Sequence, residues 1–372
     1  MTVTAASGFR AAGVTAGLKP SGRPDMAVIV NDGPSFAAAA VFTGNRCKAN
    51  PVLWSEQVVK DGTVRAVVTN SGGANCYTGA EGFQNTHATA EQVAAGLGIG
   101  AVDVLVCSTG LIGVQNDRGL LLAGADAAVA ALAADGGPAA AEAIMTTDSK
   151  PKEAVVSRDG WTVGGQAKGA GMLAPALATM LVYLTTDADV DAATCDRALR
   201  LATRTTFDRL DSDGCQSTND TVLLMASGAS GVAPDLDDFA DAVSEVCDDL
   251  AMQLLADAEG ADHEIAITVA NAASEDDAVD VGRSVARSNL FKCAIYGKDP
   301  NWGRILASVG TTQAAFDPTD LDVALNDVWV CRKSGPAESP DAIDLKAGDA
   351  TATVWTNDLT HAYVHENSAY ST

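Results

Sequence analysis

The stretch Lys168–Leu184, KGAGMLAPALATMLVYL, has two halves of opposite character. Lys168–Pro175 reads as loop: Gly169 and Gly171 admit backbone angles closed to other residues, and Pro175 fixes its own φ. Thr179–Leu184 is apolar, with β-branched and aromatic members, and is bounded by Thr185-Thr186-Asp187, the pattern of a buried strand. Thr179 therefore stands where a glycine-rich loop enters a core strand. If the chain is cut just before it, the freed α-amino group becomes a base beside the hydroxyl, the pairing used by N-terminal threonine nucleophiles. On spacing alone, a threonine that merely opens a strand is the commoner outcome.

Outward from this stretch the chain mixes strands and helices without strict βαβ alternation, which predicts a mixed α/β fold. Met26–Val30, Ala37–Phe42, Arg65–Thr69 and Val102–Cys107 are short apolar runs between turn signals and predict strands. So do Glu264–Ala270, Leu321–Cys331 and Ala350–Trp355. Thr86–Leu97, Gly119–Ala134, Ala139–Ile144, Asp191–Leu210 and Glu275–Ser288 predict helices. The clearest helix is Leu236–Leu255, where Leu236, Phe239, Val243, Val246, Leu250 and Leu254 recur at spacings of three or four, with Gly260 placed to end it. Glu259 then falls near a helix C-terminus, where the dipole disfavours a negative charge. Most such residues are surface acids; a few are held there for function.

Composition narrows the function classes. The 372 residues suggest two or three domain-sized units and ample core. The net charge is −24, from 37 Asp and 11 Glu against only 10 Lys among 24 basic residues. That sign of charge disfavours nucleic-acid and anionic-membrane binding. No apolar run approaches the length of a membrane span, and no signal peptide is evident at MTVTAASGFR, so a cytoplasmic protein is expected. The eight cysteines form no C-x-x-C pair and read as reduced core thiols. His361 and His365 are four apart but lack an acidic or cysteine partner pattern, so no metal site is expected. Gly96-Leu97-Gly98-Ile99-Gly100 precedes a strand instead of opening a helix and is not a dinucleotide fingerprint. Ala337–Ala342 reads as a flexible surface loop.

Eight segments in order carry a resemblance that spans essentially the whole chain. They are NSGGANCYTGAEGFQNTHAT from Asn70, CSTGLIG from Cys107, MTTDSKPK from Met145, KGAGMLAPALATML from Lys168, STNDTV from Ser217, DAEG from Asp257, KDPNWGR from Lys298 and the terminal HENSAYST. Together they resemble the ornithine acetyltransferase family of arginine biosynthesis. The resemblance implies a layered α/β sandwich of the kind shared with self-processing aminopeptidases. It also implies autocatalytic cleavage between Ala178 and Thr179, giving chains 1–178 and 179–372 that assemble as a heterotetramer of two α and two β chains. Thr179 would be the nucleophile, and Thr109 and Gly110, on the turn after a strand, the oxyanion donors. Thr146 (or its neighbour Thr147), Lys168, Thr179, Glu259, Asn367 and Thr372 would contact substrate, with Lys168 on an α-carboxylate and Glu259 on a side-chain ammonium.

The reaction so implied moves acetyl from N2-acetyl-L-ornithine to L-glutamate without a cofactor; acetyl-CoA as a further donor is left open. A self-processing aminopeptidase or amidase is the alternative enzyme, and an amino-acid sensor the non-catalytic one. Two departures from the family pattern stand out, Ala176 beside the cut and Val114-Gln115-Asn116-Asp117, where a local loop difference is expected.

An Asp-rich, Lys-poor surface resembles proteins adapted to a salt-rich cytoplasm, and its unscreened charges repel one another. Melting temperature and activity are therefore expected to rise steeply between dilute buffer and molar KCl. Equal melting temperatures at both ends of a salt series would remove the halophilic reading.

Overall fold

The computed structural model describes residues 2–173, 180–337, 343–344 and 347–369. In chain order the strands are β1 (Phe9–Val14), β2 (Met26–Asn31), β3 (Ala37–Phe42), β4 (Ala66–Asn70), β5 (Val104–Ser108), β6 (Lys152–Arg158), β7 (Trp161–Lys168), β8 (Leu181–Thr186), β9 (Thr221–Ala226), β10 (Glu264–Ala272), β11 (Val323–Leu325), β12 (Val328–Arg332), β13 (Gly335–Pro336), β14 (Ile343–Asp344) and β15 (Ala350–Asn357). The helices are α1 (Asn50–Val58), α2 (Gly79–Leu97), α3 (Arg118–Ala130), α4 (Gly137–Ala143), α5 (Ala192–Thr205), α6 (Leu236–Ala256), α7 (Glu275–Ala286), α8 (Asn289–Tyr296), α9 (Trp302–Val309) and α10 (His361–Ala369).

Two sheets form the centre, ordered β1-β2-β4-β5 and β3-β9-β8-β7-β6. Successive strand residues point to opposite faces, so each strand feeds two cores. Ala27, Ile29, Val67 and Leu105 of the first sheet meet Ala38, Ala40, Leu181, Tyr183, Leu223 and Met225 of the second. Val28, Val68, Val104 and Val106 face the other way, onto Ala90, Val93, Leu121 and Ala125 of α2 and α3. Val163, Val182, Leu184, Val222 and Leu224 face α5 and α6. The result is a four-layer helix–sheet–sheet–helix sandwich, the layered α/β architecture expected from the sequence. A separate core lies beyond it, where Val269 of β10 and Val354 of β15 pack with Val281, Val285, Ile305 and Val309 of α7 and α9.

Several boundaries differ from the sequence expectation, each for a physical reason. The core strand runs Leu181–Thr186, starting later than Thr179 and taking in the two threonines read as its end. Both hydroxyls find carbonyls, Thr185 on Val3 at 2.7 Å and Thr186 on Thr162 at 2.9 Å, so they are buried without a desolvation cost. Leu236–Ala256 ends before Gly260, at Asp257. It begins where expected because Asp235 caps it, accepting the Asp238 N–H at 2.9 Å. The single strand expected over Leu321–Cys331 is a hairpin, turned at Asn326 and Asp327, both left-handed at φ 47° and 63°. Hairpin β6–β7 was not among the expected strands; in it a Cβ on Gly164 would lie 2.3 Å from the Thr2 carbonyl. Five cysteines are buried, but Cys47, Cys215 and Cys293 are exposed and not core thiols. Cys47 and Cys215 sit in surface turns, their N–H groups bonded to Asn45 and Asp213. Of Ala337–Ala342, residues 338–342 lie outside the described residues. Among the described residues no helix is long and apolar enough to cross a membrane.

A polar contact inside their shared core links the two central sheets. The Tyr183 hydroxyl of β8 lies 2.6 Å from Thr69 Oγ1 of β4, and Tyr183 is fully buried. Tyr183→Phe removes the bond and leaves the threonine oxygen without its partner, at a cost of about 1–3 kcal/mol. Urea unfolding is expected to show a lower midpoint at unchanged slope.

Candidate active site

The strand ends of the two sheets converge on one edge of the sandwich. β4 runs out at Asn70 and β5 at Ser108, so their following turns lie side by side. The Thr109 N–H bonds the Asn70 carbonyl at 2.9 Å, and the Asn70 amide reaches Ser108 Oγ at 2.6 Å. Gly110 follows at φ +121°, and a Cβ there would sit 3.0 Å from the Gly73 nitrogen. Only glycine lets these two turns touch. Asn116 holds them from behind, bonding the Gly73 carbonyl at 3.1 Å and Asn70 Oδ1 at 3.3 Å. The segment in which a mere loop difference was expected thus carries a buried support for the Thr109-Gly110 turn.

From the other sheet, β7 ends at Lys168, which is 1% exposed. Its ammonium donates to Thr109 Oγ1 at 3.2 Å. A hydroxyl oxygen that accepts from a cation keeps its own proton for a different partner. Burial lowers the Lys168 pKa, against the pull of Asp148, Asp220 and Glu259.

Asp148 organises this corner. Its Oδ1 accepts from Lys152 Nζ at 2.7 Å and from the Gly169 N–H at 2.6 Å; Oδ2 accepts from the Thr146 N–H at 2.9 Å. Lys152 turns its ammonium also to Asp257 Oδ2 at 2.6 Å. Burial alone would raise the Asp148 pKa, but the charges of Lys168 and Lys152, with the Lys152 and Thr146 hydrogen bonds, hold it at about 2. Asp257 is the first residue after α6, and two residues on the Glu259 N–H bonds the Ala170 carbonyl at 2.9 Å. A Cβ on Gly171 would lie 2.7 Å from both Glu259 carboxylate oxygens, so glycine is what admits that carboxylate to the loop. Gly260, at φ +61°, receives α10: its carbonyl accepts from the Thr360 hydroxyl, and α10 carries Asn367.

These elements form an open pocket lined by Thr109, Gly110, Thr146, Thr147, Lys168, Glu259 and Asn367. All the expected contacts that fall on described residues thus share one cavity. Both Thr146 and Thr147 face it. Ala178, Thr179 and Thr372 lie outside the described residues. Ser217, Thr218 and Asn219 also line the pocket and had been given no role. Asn219 joins the two sheets at the pocket floor, donating to the carbonyls of Ala74 at 2.6 Å and Ser108 at 2.8 Å. His361 and His365 stand one turn apart on α10, and the His361 ring meets Tyr296 edge-on.

Chemically, the described lining of the pocket offers hydroxyls and the Gly110 turn as hydrogen-bond donors, the buried Lys168 cation, and the Glu259 carboxylate held on a loop. Asp148→Asn removes the charge that two buried lysines face, with an expected cost of about 3–5 kcal/mol at neutral pH. A carboxylate depressed to about 2 contributes stability that is complete above its ordinary 3.8 and lost as pH falls through 2. The stability gap between wild type and Asp148→Asn should therefore be constant from pH 7 to about 5 and close below 3, as read by unfolding midpoints across that range.

Comparison with known proteins agrees along the full length. The family model described as the ArgJ family matches residues 10–372. "Arginine biosynthesis bifunctional protein ArgJ" of Streptomyces coelicolor is 63% identical over 100% of both chains. The protein of the same name from Thermobifida fusca is 61% identical, again over 100% of both. A solved structure titled as ornithine acetyltransferase complexed with ornithine, from Mycobacterium tuberculosis, is 56% identical, covers 48% of this chain and 96% of its own, and has a TM-score of 0.47. On the strength of the family model and of relatives matched end to end, this chain belongs to the ArgJ family.

Proposed function

We propose that this protein is an acetyltransferase of arginine biosynthesis that moves acetyl from N2-acetyl-L-ornithine to L-glutamate, with Thr179 as nucleophile. The observation that carries the reading is the gathering of Thr109, Gly110, Thr146, Lys168, Glu259 and Asn367 around one pocket. They come from five separate stretches of chain. The relatives' name, which includes arginine biosynthesis, supports the pathway.

In this reading the Thr179 hydroxyl first attacks the Ala178 carbonyl, exchanging the peptide bond for an ester that water opens. Chains 1–178 and 179–372 result, and pair as two α and two β chains in the cytoplasm. In turnover the freed α-amino group takes the hydroxyl proton as Thr179 Oγ1 attacks the acetyl carbonyl. The oxyanion is met by the Thr109 hydroxyl, polarised by Lys168, and by the Gly110 N–H. Each such donor is worth roughly 10²–10³ in rate. Collapse returns the proton to the departing amine, releases ornithine and leaves an acetyl ester on Thr179. The glutamate amine then attacks that ester by the same route in reverse. Lys168 takes the substrate α-carboxylate and Glu259 the ornithine side-chain ammonium, since these are the pocket's buried cation and its loop-held carboxylate.

The test is Thr179→Ala. A single 37.8 kDa chain with no acetyl transfer is expected, against two chains of similar size for wild type. Edman degradation of the second wild-type chain should begin Thr-Met-Leu-Val. An active wild-type enzyme that stays uncut overturns the assignment of Thr179. Faster release of acetyl to water than to glutamate would make the protein a hydrolase.

A further inference from the structure

The two side chains that the proposed reaction must seat carry opposite charges. The terminal nitrogen of ornithine and the side-chain oxygens of glutamate stand the same number of bonds from Cα. With the α-carboxylate on Lys168, both charged ends therefore arrive at Glu259. A carboxylate there attracts the ammonium and repels a second carboxylate. Transfer to glutamate thus needs hydrogen-bond donors beside Glu259 that the steps above leave out.

A second, smaller cavity adjoins the pocket at this residue. Glu259 lines both, and Lys292 and Tyr363 line the second. The acceptors of this cavity are already filled. Asp358 takes the N–H groups of Asp262 and His263 on one oxygen and the His263 ring on the other. Asp213 accepts the Cys215 N–H at 3.0 Å and the Leu173 N–H at 3.3 Å. Asn357 Oδ1 accepts the Ser212 hydroxyl at 2.7 Å. Its donors are not filled. Lys292 is 5% exposed, and one of its three N–H groups meets the Ser212 carbonyl and another Thr356 Oγ1 at 3.0 Å. The third, like the Tyr363 hydroxyl, has no hydrogen-bond partner among the described residues. Burial lowers the Lys292 pKa to about 8, against the pull of Asp213, Asp211 and Asp358, so the ammonium persists at neutral pH. Burial, with Asp213 and Glu259 near by, pushes Tyr363 up to about 12, so its hydroxyl keeps a proton to donate. Tyr363 also belongs to the pocket through its carbonyl, which accepts the Asn367 amide at 3.0 Å. Filled acceptors and spare donors suit an anion.

We propose that Lys292 and Tyr363 form the subsite for the side-chain carboxylate of the acetyl acceptor, so that one pocket seats an ammonium on Glu259 in one half-reaction and a carboxylate on Lys292 and Tyr363 in the other. The proposal rests on the acetyl-transfer reading and makes these two specificity-determining residues.

The test separates the half-reactions, because in a ping-pong reaction kcat/KM for each substrate reports its own half. Tyr363→Phe deletes a hydroxyl that has no partner among the described residues, so the fold should be retained. Its kcat/KM for glutamate should fall at least tenfold more than that for N-acetylornithine, and Lys292→Met should widen the difference to a hundredfold. Glutamine has the shape of glutamate without the charge. The preference of wild type for glutamate over glutamine as acceptor should therefore shrink at least tenfold in both variants. General structural damage lowers both half-reactions together and leaves that preference in place. Equal losses in the two half-reactions, or an unchanged preference, overturn the proposal, as does a wild type that acetylates glutamine as readily as glutamate. Should Lys292→Met fail to fold, because Asp213 and Asp358 lose their buried counter-charge, Tyr363→Phe decides alone. A wild type that transfers no acetyl from N-acetylornithine to glutamate refutes the underlying reading instead. A wild type that does so, beside a Tyr363→Phe with wild-type ratios, refutes only the subsite.

Discussion

Both central sheets are buried on both faces, and that constraint decides where every polar group of consequence stands. A strand with a core on each side has no face on which to carry a charge, so chemistry is pushed to the strand ends. The ends of β4, β5 and β7 and the beginnings of β8 and β9 lie at one edge of the sandwich. There Asn70, Thr109, Lys168, Asn219 and Asp220 come within reach of one another although up to about 150 residues separate them. The pocket is the place where two hydrophobic cores stop.

Moving charge to that edge without exposing it needs a second device. Lys152 and Lys168 are both buried, and the carboxylates of Asp148 and Asp257 stand between and beside them. Removing any one of these leaves an uncompensated buried charge, which is why their geometry is so constrained. The same carboxylate also accepts the N–H groups of Thr146 and Gly169, so the charges fix the backbone on two sides of the pocket. Electrostatic balance and loop shape are one requirement here.

Much of this was legible in the sequence, and the exceptions have a common cause. The buried strands announced themselves as short apolar runs, and α6 by its spacing. The expected substrate and oxyanion contacts that fall on described residues line one cavity. What sequence patterns could not show was anything defined by a distant partner. Gly164 belongs in a strand because of the Thr2 carbonyl across the core, and Asn219 matters because of carbonyls 145 and 111 residues away. Asn116 looked like a divergent loop residue and is a buried brace. Short helices α1, α8 and α9 lack enough turns for a periodic signal to stand out.

The central position of β8 has a consequence for the molecule's integrity. It is paired along its whole length on both sides, antiparallel to β7 and parallel to β9. β7 precedes residue 178 and β8 follows it, so scission at that point would run through the connection and not through the ladder. The six residue pairs from Val163↔Thr186 to Lys168↔Leu181 would then become contacts between two polypeptides. Folding would remain a single event in the precursor but become irreversible in a practical sense afterwards. Two severed halves that unfold must find each other again by diffusion, at a rate set by concentration. The intact precursor meets its partner strand through a short tether and needs no such search.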